Sequence, residues 1–320
     1  MRTRTRQRLI TAMVVALGCG GCQPPDDCGS PIQGETGITS LATDGFFLFW
    51  TEVNGSVKKA DVGGCAPATT LVPPSDPVVV VDHIAMNGGH VFWTSGEGPS
   101  TTLEKMSRKG GEPEAVIVED GIVAVVADEA HLCWMTGQGV AKCKEIEGSD
   151  ALPPDVVSPA GPMAIHGGTL FFASKGGMRK AAIPMTDDPI EGEPVQLDPP
   201  SGDVLSLALT SQHLCWTEVG AKGDFSVRAA APSGGPSRVV ASRGSKPGNV
   251  ACDSNDVFWI DGENAVFQAS IDGEGSAMSV VEGLPGRASF VMDAEGIYVA
   301  SSAKATVGLH GKRGSASGAM

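Results

Sequence analysis

A bulky side chain recurs at Trp50, Trp93, Trp134, Phe172, Trp216, Trp259 and, more weakly, Val299, at intervals of 38 to 44 residues. A repeat of this length restricts the chain to an array of like units, and about 40 residues suits either paired helices or four-stranded blades. The interior of each unit decides between them. The clearest copy, NVACDSNDVFWIDGENAVFQASIDGEG at 249–275, is a short apolar run, a polar turn, an aromatic run, a Gly/Asn turn and a third run. No copy holds a stretch of ten or more residues at helical spacing, which excludes helical solenoids and leaves a β-propeller.

The bulky position serves as a register mark. Eight residues before it stand Ala42, Ala85, Val126, Ala164, Ala208, Ala251 and Val291, small apolar side chains that fit where innermost strands converge on a central axis. Six before it come Asp44, Asn87, Asp128, His166, Thr210, Asp253 and Asp293, mostly short polar side chains that bond to the backbone of a tight turn. Third strands centre on Val57, Leu103, Val140, Met178, Val227, Val266 and Val307. Fourth strands are visible in six copies, at 68–72, 114–118, 155–158, 194–197, 237–241 and 279–281. The last copy runs into GLHGKRGSASGAM, too glycine-rich for a strand, so the segment around 31–37 is expected to supply its missing edge and close the ring. The expectation is an all-β, seven-bladed β-propeller of four-stranded blades over 37–310, with six blades as the alternative.

The cores FWTE (49–52), FWTS (92–95), CWTE (215–218) and FWID (258–261) resemble the YWTD-type propeller repeat of lipoprotein-receptor ectodomains. They are more similar still to the repeat arrays of bacterial cell-surface lipoproteins abundant in myxobacteria. The resemblance spans about residues 37–310 and implies a fold rather than an activity.

Residues 1–18 carry four arginines, then an apolar run from Leu9 to Leu17, the pattern of a bacterial secretion signal. Nine apolar residues fall well short of the roughly 20 that span a bilayer. The small residue before Cys19 resembles a lipobox, which makes Cys19 the expected lipidation site and Cys22 its alternative; 19–36 is then a tether and linker, and 311–320 a tail. The chain is expected to be exported and membrane-anchored, in the periplasm or at the cell surface. Without residues 1–18, 19 basic side chains face 37 acidic ones, a net of −18, which disfavours nucleic acid and anionic lipid. Of the eight cysteines, Cys133 and Cys143 fall on neighbouring strands of one copy, while Cys215 and Cys252 lie in adjacent copies; all four are candidate disulfide partners.

His90, His131 and His213 each stand three residues before a mark, a repeat-determined position that points to structure. The innermost strands are apolar and offer no converging donor set, and no GxSxG, HExxH, phosphate-binding or dinucleotide-binding motif has its required context. Glu52, Glu97, Glu218, Asp224, Asp261 and Glu263 fall after second strands, where propeller loops commonly bind ligands, and form a candidate acidic rim. The expected function is a non-catalytic binding or scaffold module at the cell envelope, a monomer without cofactor or metal. Its expected partner is an envelope protein or a small molecule, and its only membrane contact the lipid anchor. The alternative is a lactonase- or lyase-type propeller enzyme holding a divalent cation in its loops.

Overall fold

In a computed structural model the chain is all-β, and the structure describes residues 32–33, 37–62, 67–74, 79–96, 100–148, 156–157, 161–174, 177–183, 193–198, 201–220, 222–262, 264–273, 276–284, 288–293, 296–301 and 304–310. Cys19, Cys22 and the 311–320 tail lie outside them. Six four-stranded antiparallel sheets are each complete within one run of chain, at 38–72, 80–120, 122–157, 163–194, 203–243 and 250–281, here called blades one to six. Six is the number of self-contained blades, as the six-bladed alternative expected. The seventh repeat copy contributes only Ala288–Met292, Ile297–Ser301 and Lys304–His310, and its fourth strand is Ile32–Gln33 from the other end of the chain. Ile32 pairs with Val307 and Gln33 with Thr306, giving a composite sheet.

Each core lies between neighbouring sheets, and the two-residue period of a strand explains why. The mark faces the preceding sheet and the residue before it faces the following one. Trp93 thus packs with Phe49 of blade one, Trp134 with Phe92, and Trp216 with Phe171. Trp50 meets Tyr298 of the composite sheet, and Val299 of that sheet meets Phe258 of blade six. Blades therefore follow one another round the ring with an apolar cluster at every junction.

The polar residue six before the mark caps the turn joining first and second strands. Asp44 Oδ1 accepts from the amides of Phe46 and Phe47 at 2.8 and 2.6 Å, and Asn87, Asp128, Thr210 and Asp253 do the same for their own turns. Blade four differs: His166 is followed by Gly167 and Gly168 at φ +55° and +72°, a turn that glycine makes without a side-chain cap. A β-bulge recurs in the first strands of blades one, two, three and five. In blades one and five the hydroxyl beside the bulge reaches the next blade, Ser40 Oγ accepting from Ile84 N at 3.4 Å and Ser206 Oγ from Val250 N at 3.1 Å.

The run expected as one fourth strand at 194–197 is divided. Glu193–Pro194 pairs with Arg179 and Lys180 in blade four, and Pro194, lacking an N–H, goes no further in the ladder. Leu197–Asp198 then pairs in parallel with Gly235–Pro236 of blade five. The segment between the two blades is thereby fastened to the one it enters.

Deleting residues 32–36 should leave the Lys304–His310 strand with an open edge. Loss of about two ladder bonds predicts a Tm lower by roughly 3 to 6 °C by calorimetry, with concentration-dependent association on gel filtration.

Candidate functional site

The acidic rim expected from sequence does not assemble. Glu52, Glu218 and Asp261 are buried, at 1%, 3% and 7% exposure, whereas Asp224 is exposed; Glu97 and Glu263 lie outside the described residues. The three buried acids share one register, two residues after a tryptophan mark. Strand alternation puts that position on the same side as the tryptophan, beneath the loop rather than on it. The indole N–H of Trp50 donates to Glu52 Oε1 at 3.2 Å, and that of Trp216 to Glu218 Oε2 at 2.7 Å. Glu52 also accepts from Ser56 Oγ at 2.6 Å and Asn54 Nδ2 at 3.2 Å, and pairs with Lys58 at 3.2 Å. Glu218 accepts from Gly202 N at 2.9 Å, Ser226 Oγ at 3.1 Å and Arg228 Nη1 at 3.2 Å. Gly202 is required there, since a Cβ would lie 2.2 Å from Val219 O. Asp261 takes the amide of Ala265 at 3.2 Å, closing its own hairpin.

Blades two and three lack the acid, with Ser95 and Thr136 in its place, and blade three opens a recess. Its residue two past the mark is Thr136, which offers the indole no carboxylate, so Trp134 Nε1 donates at 2.6 Å to Glu119 on the outermost strand of blade two. Lys142 Nζ reaches the other oxygen of Glu119 at 2.5 Å. Above this set the connections are short. Gly137 to Gly139 turn the hairpin with Gly139 at φ +80°, and Gly121, at φ +60°, links blade two to blade three and accepts from Gly137 N at 2.7 Å. A recess of about 240 Å³ remains, lined by Glu119, Asp120, Thr136, Gln138, Val140 and Lys142. It lies on the face of the loops that follow second strands. Its size is just below the ~300 Å³ at which small-molecule sites usually begin, so it suits one side chain or a ligand of few atoms. Glu119 is matched by Lys142, which leaves the exposed Asp120 and Gln138 as the groups offered to a ligand. No group of three or more His, Cys, Asp or Glu side chains is placed to hold a metal ion among the described residues.

The opposite face ties blades together. Asp44 Oδ2 and Arg108 Nη2 pair at 2.6 Å across blades one and two, Glu129 Oε2 of blade three accepts from Gly88 N of blade two, and His213 Nε2 meets Ser254 O of blade six at 3.2 Å. Asp128 links blades three and four: Oδ2 accepts from Gly168 N at 2.8 Å, while Oδ1 takes the amides of Ala130 and His131 and the His131 ring at 3.1 Å. Burial would raise its pKa, but these donors outweigh burial and hold the carboxyl below the usual value. The mark-minus-three histidines therefore belong to this structural face, His90 lying 3.9 Å from Glu147.

Among the described residues four of the eight cysteines are placed, and they divide into two pairs. Cys133 and Cys143 are cross-strand neighbours in blade three and form a disulfide. Cys215 and Cys252 were expected as disulfide candidates and are thiols in this structure.

No family model and no curated protein sequence matches the chain. Among solved structures it is similar to the WD40 beta propeller domain of Doa1, with TM-score 0.64 and 14% identity over 88% of this chain and 95% of that one. A chain of a Mitotic Checkpoint Complex gives TM-score 0.64 and 10% identity over 95% and 99%. YCF48 bound to D1 peptide gives 0.61 and 11% over 88% and 92%. Identities this low show the fold alone, an all-β propeller with four-stranded blades.

The buried Glu218 and the half-buried Asp128 can each be tested by removal. Glu218→Ala strands the buried Arg228 guanidinium and should cost about 3 to 5 kcal/mol in urea unfolding, while Glu218→Leu combined with Arg228→Leu should recover at least half of that loss. Asp128→Ala should cost about 2 kcal/mol at neutral pH. Because the folded pKa of Asp128 is depressed, its contribution is full above the ordinary carboxylate range and is lost as pH falls through the depressed value. The gap between wild type and Asp128→Ala should therefore narrow in acid, as read by unfolding curves at descending pH.

Proposed function

We propose that the chain is an exported propeller, anchored by lipid on Cys19 with Cys22 as the alternative, that works as a non-catalytic binding or scaffold module at the cell envelope. In this reading the composite sheet counts as a seventh blade and makes the ring a rigid platform. The observation that carries the proposal is the asymmetry between the two faces. Turn side chains on one face are committed to links between blades, as in Asp44 to Arg108 and Asp128 to Gly168. The other face carries the more varied loops and the polar recess at Gln138. The likeness in fold to YCF48 bound to D1 peptide is consistent with a peptide side chain as the group received.

A photo-crosslinking residue at Gln138, in cells expressing the full chain, should capture a discrete partner that the same residue at Ala130 on the opposite face does not. Equal capture at both positions, or capture at Ala130 alone, would overturn the assignment of the face. Cys19→Ser should abolish incorporation of labelled fatty acid and move the protein from the membrane to the soluble fraction. Unchanged labelling would pass the role to Cys22, and no labelling of the wild type would sink the lipid anchor.

A further inference from the structure

We infer that Cys215 and Cys252 are a latent covalent staple between blades five and six, closed by disulfide exchange. The residue before the mark fills the gap to the following blade. Phe49, Phe92, Phe171, Phe258 and Tyr298 occupy that position elsewhere, and in blades three and five it is cysteine, at Cys133 and Cys215. A cysteine is far smaller than phenylalanine, so each junction needs a second group to occupy the volume. In blade three Cys143 supplies it from the same sheet, and the two sulfurs are bonded. In blade five the second group is Cys252, from the first strand of blade six, packed against the cluster that holds Cys215. Two sulfurs from different blades thus share one apolar junction.

The pair is also arranged for a defined order of steps. Cys215 is buried, and Cys252 is half-buried. Burial, followed by the hydrogen-bonded Cys252 side chain and the charge of Asp253, pushes the Cys215 thiol well above its usual pKa. Cys252 is therefore the sulfur that meets an external disulfide first. Its thiolate attacks one sulfur of a small-molecule disulfide, forming a mixed disulfide and releasing one thiolate. Cys215 then loses its proton and attacks Sγ of Cys252, expelling the second thiolate. The protein dithiol gives up two electrons and two protons, and the oxidant's disulfide is reduced to two thiols. A recess of about 170 Å³ opens between the same two blades and is lined in part by Ala229, the cross-strand partner of Cys215.

The full chain, treated with oxidised glutathione and then alkylated and digested without reduction, should yield one peptide pair joined through Cys215 and Cys252. Its Tm should rise by roughly 5 °C over the untreated protein, and Cys252→Ser, a substitution at the half-exposed partner, should abolish the rise. The inference is overturned if glutathione remains on Cys252 as a mixed disulfide, if Cys252 joins any other cysteine, or if Cys215 is still alkylated once the treated chain is unfolded.

Discussion

Everything in this molecule hangs on two consecutive side chains per repeat pointing in opposite directions. A sheet of four short strands has too little apolar surface to stand by itself. Here its second strand sends the mark residue into one neighbour and the preceding residue into the other, as Trp93 does toward Phe49 and Phe92 toward Trp134. Each blade is thus half of two cores and owns neither. Truncating a buried tryptophan of this kind costs about 3 to 5 kcal/mol in other proteins, and here the loss falls on a junction and so on two blades at once.

The same alternation governs the polar residues. Two positions beyond the mark a side chain is again beneath the surface, so an acid there is drawn to the indole N–H instead of to solvent. Glu52 and Glu218 complete their hydrogen bonding with lysine, arginine, serine and backbone partners, as a buried charge must. Where the repeat supplies Thr136 in place of an acid, the tryptophan borrows Glu119 from the adjacent blade, and the polar recess is a by-product of that exchange.

This explains which parts of the molecule the sequence made legible. The marks, the small residues eight before them and the capping residues such as Asp44 and Asp253 stand at fixed offsets inside a single repeat, so spacing alone exposes them. The Cys133 to Cys143 pairing is equally local. Counting the acids after second strands as a rim ignored the two-residue period, although the tryptophan two places earlier was signal enough to bury Glu52, Glu218 and Asp261. Lys142 faces Trp134 across the same hairpin and is as local as the cysteine pair, but Glu119 was out of reach for a different reason. Its meeting with both depends on how one blade leans on the next, and no spacing along the chain encodes it. The division of the fourth strand of blade four was readable in principle, from the missing N–H of Pro194.

The pairing of Ile32–Gln33 with Lys304–His310 also sets the order in which the molecule can be finished. Every other sheet is complete once its own stretch of chain has emerged. The closing pair joins residues near opposite ends, so it must wait for nearly the whole chain and carry the largest loop-closure entropy in the fold. Until then the nascent protein is an open arc, with the Trp50 face of blade one and the Phe258 face of blade six both uncovered. A chain synthesised from its N-terminus holds the clasp from the start and finds the catch only at the end.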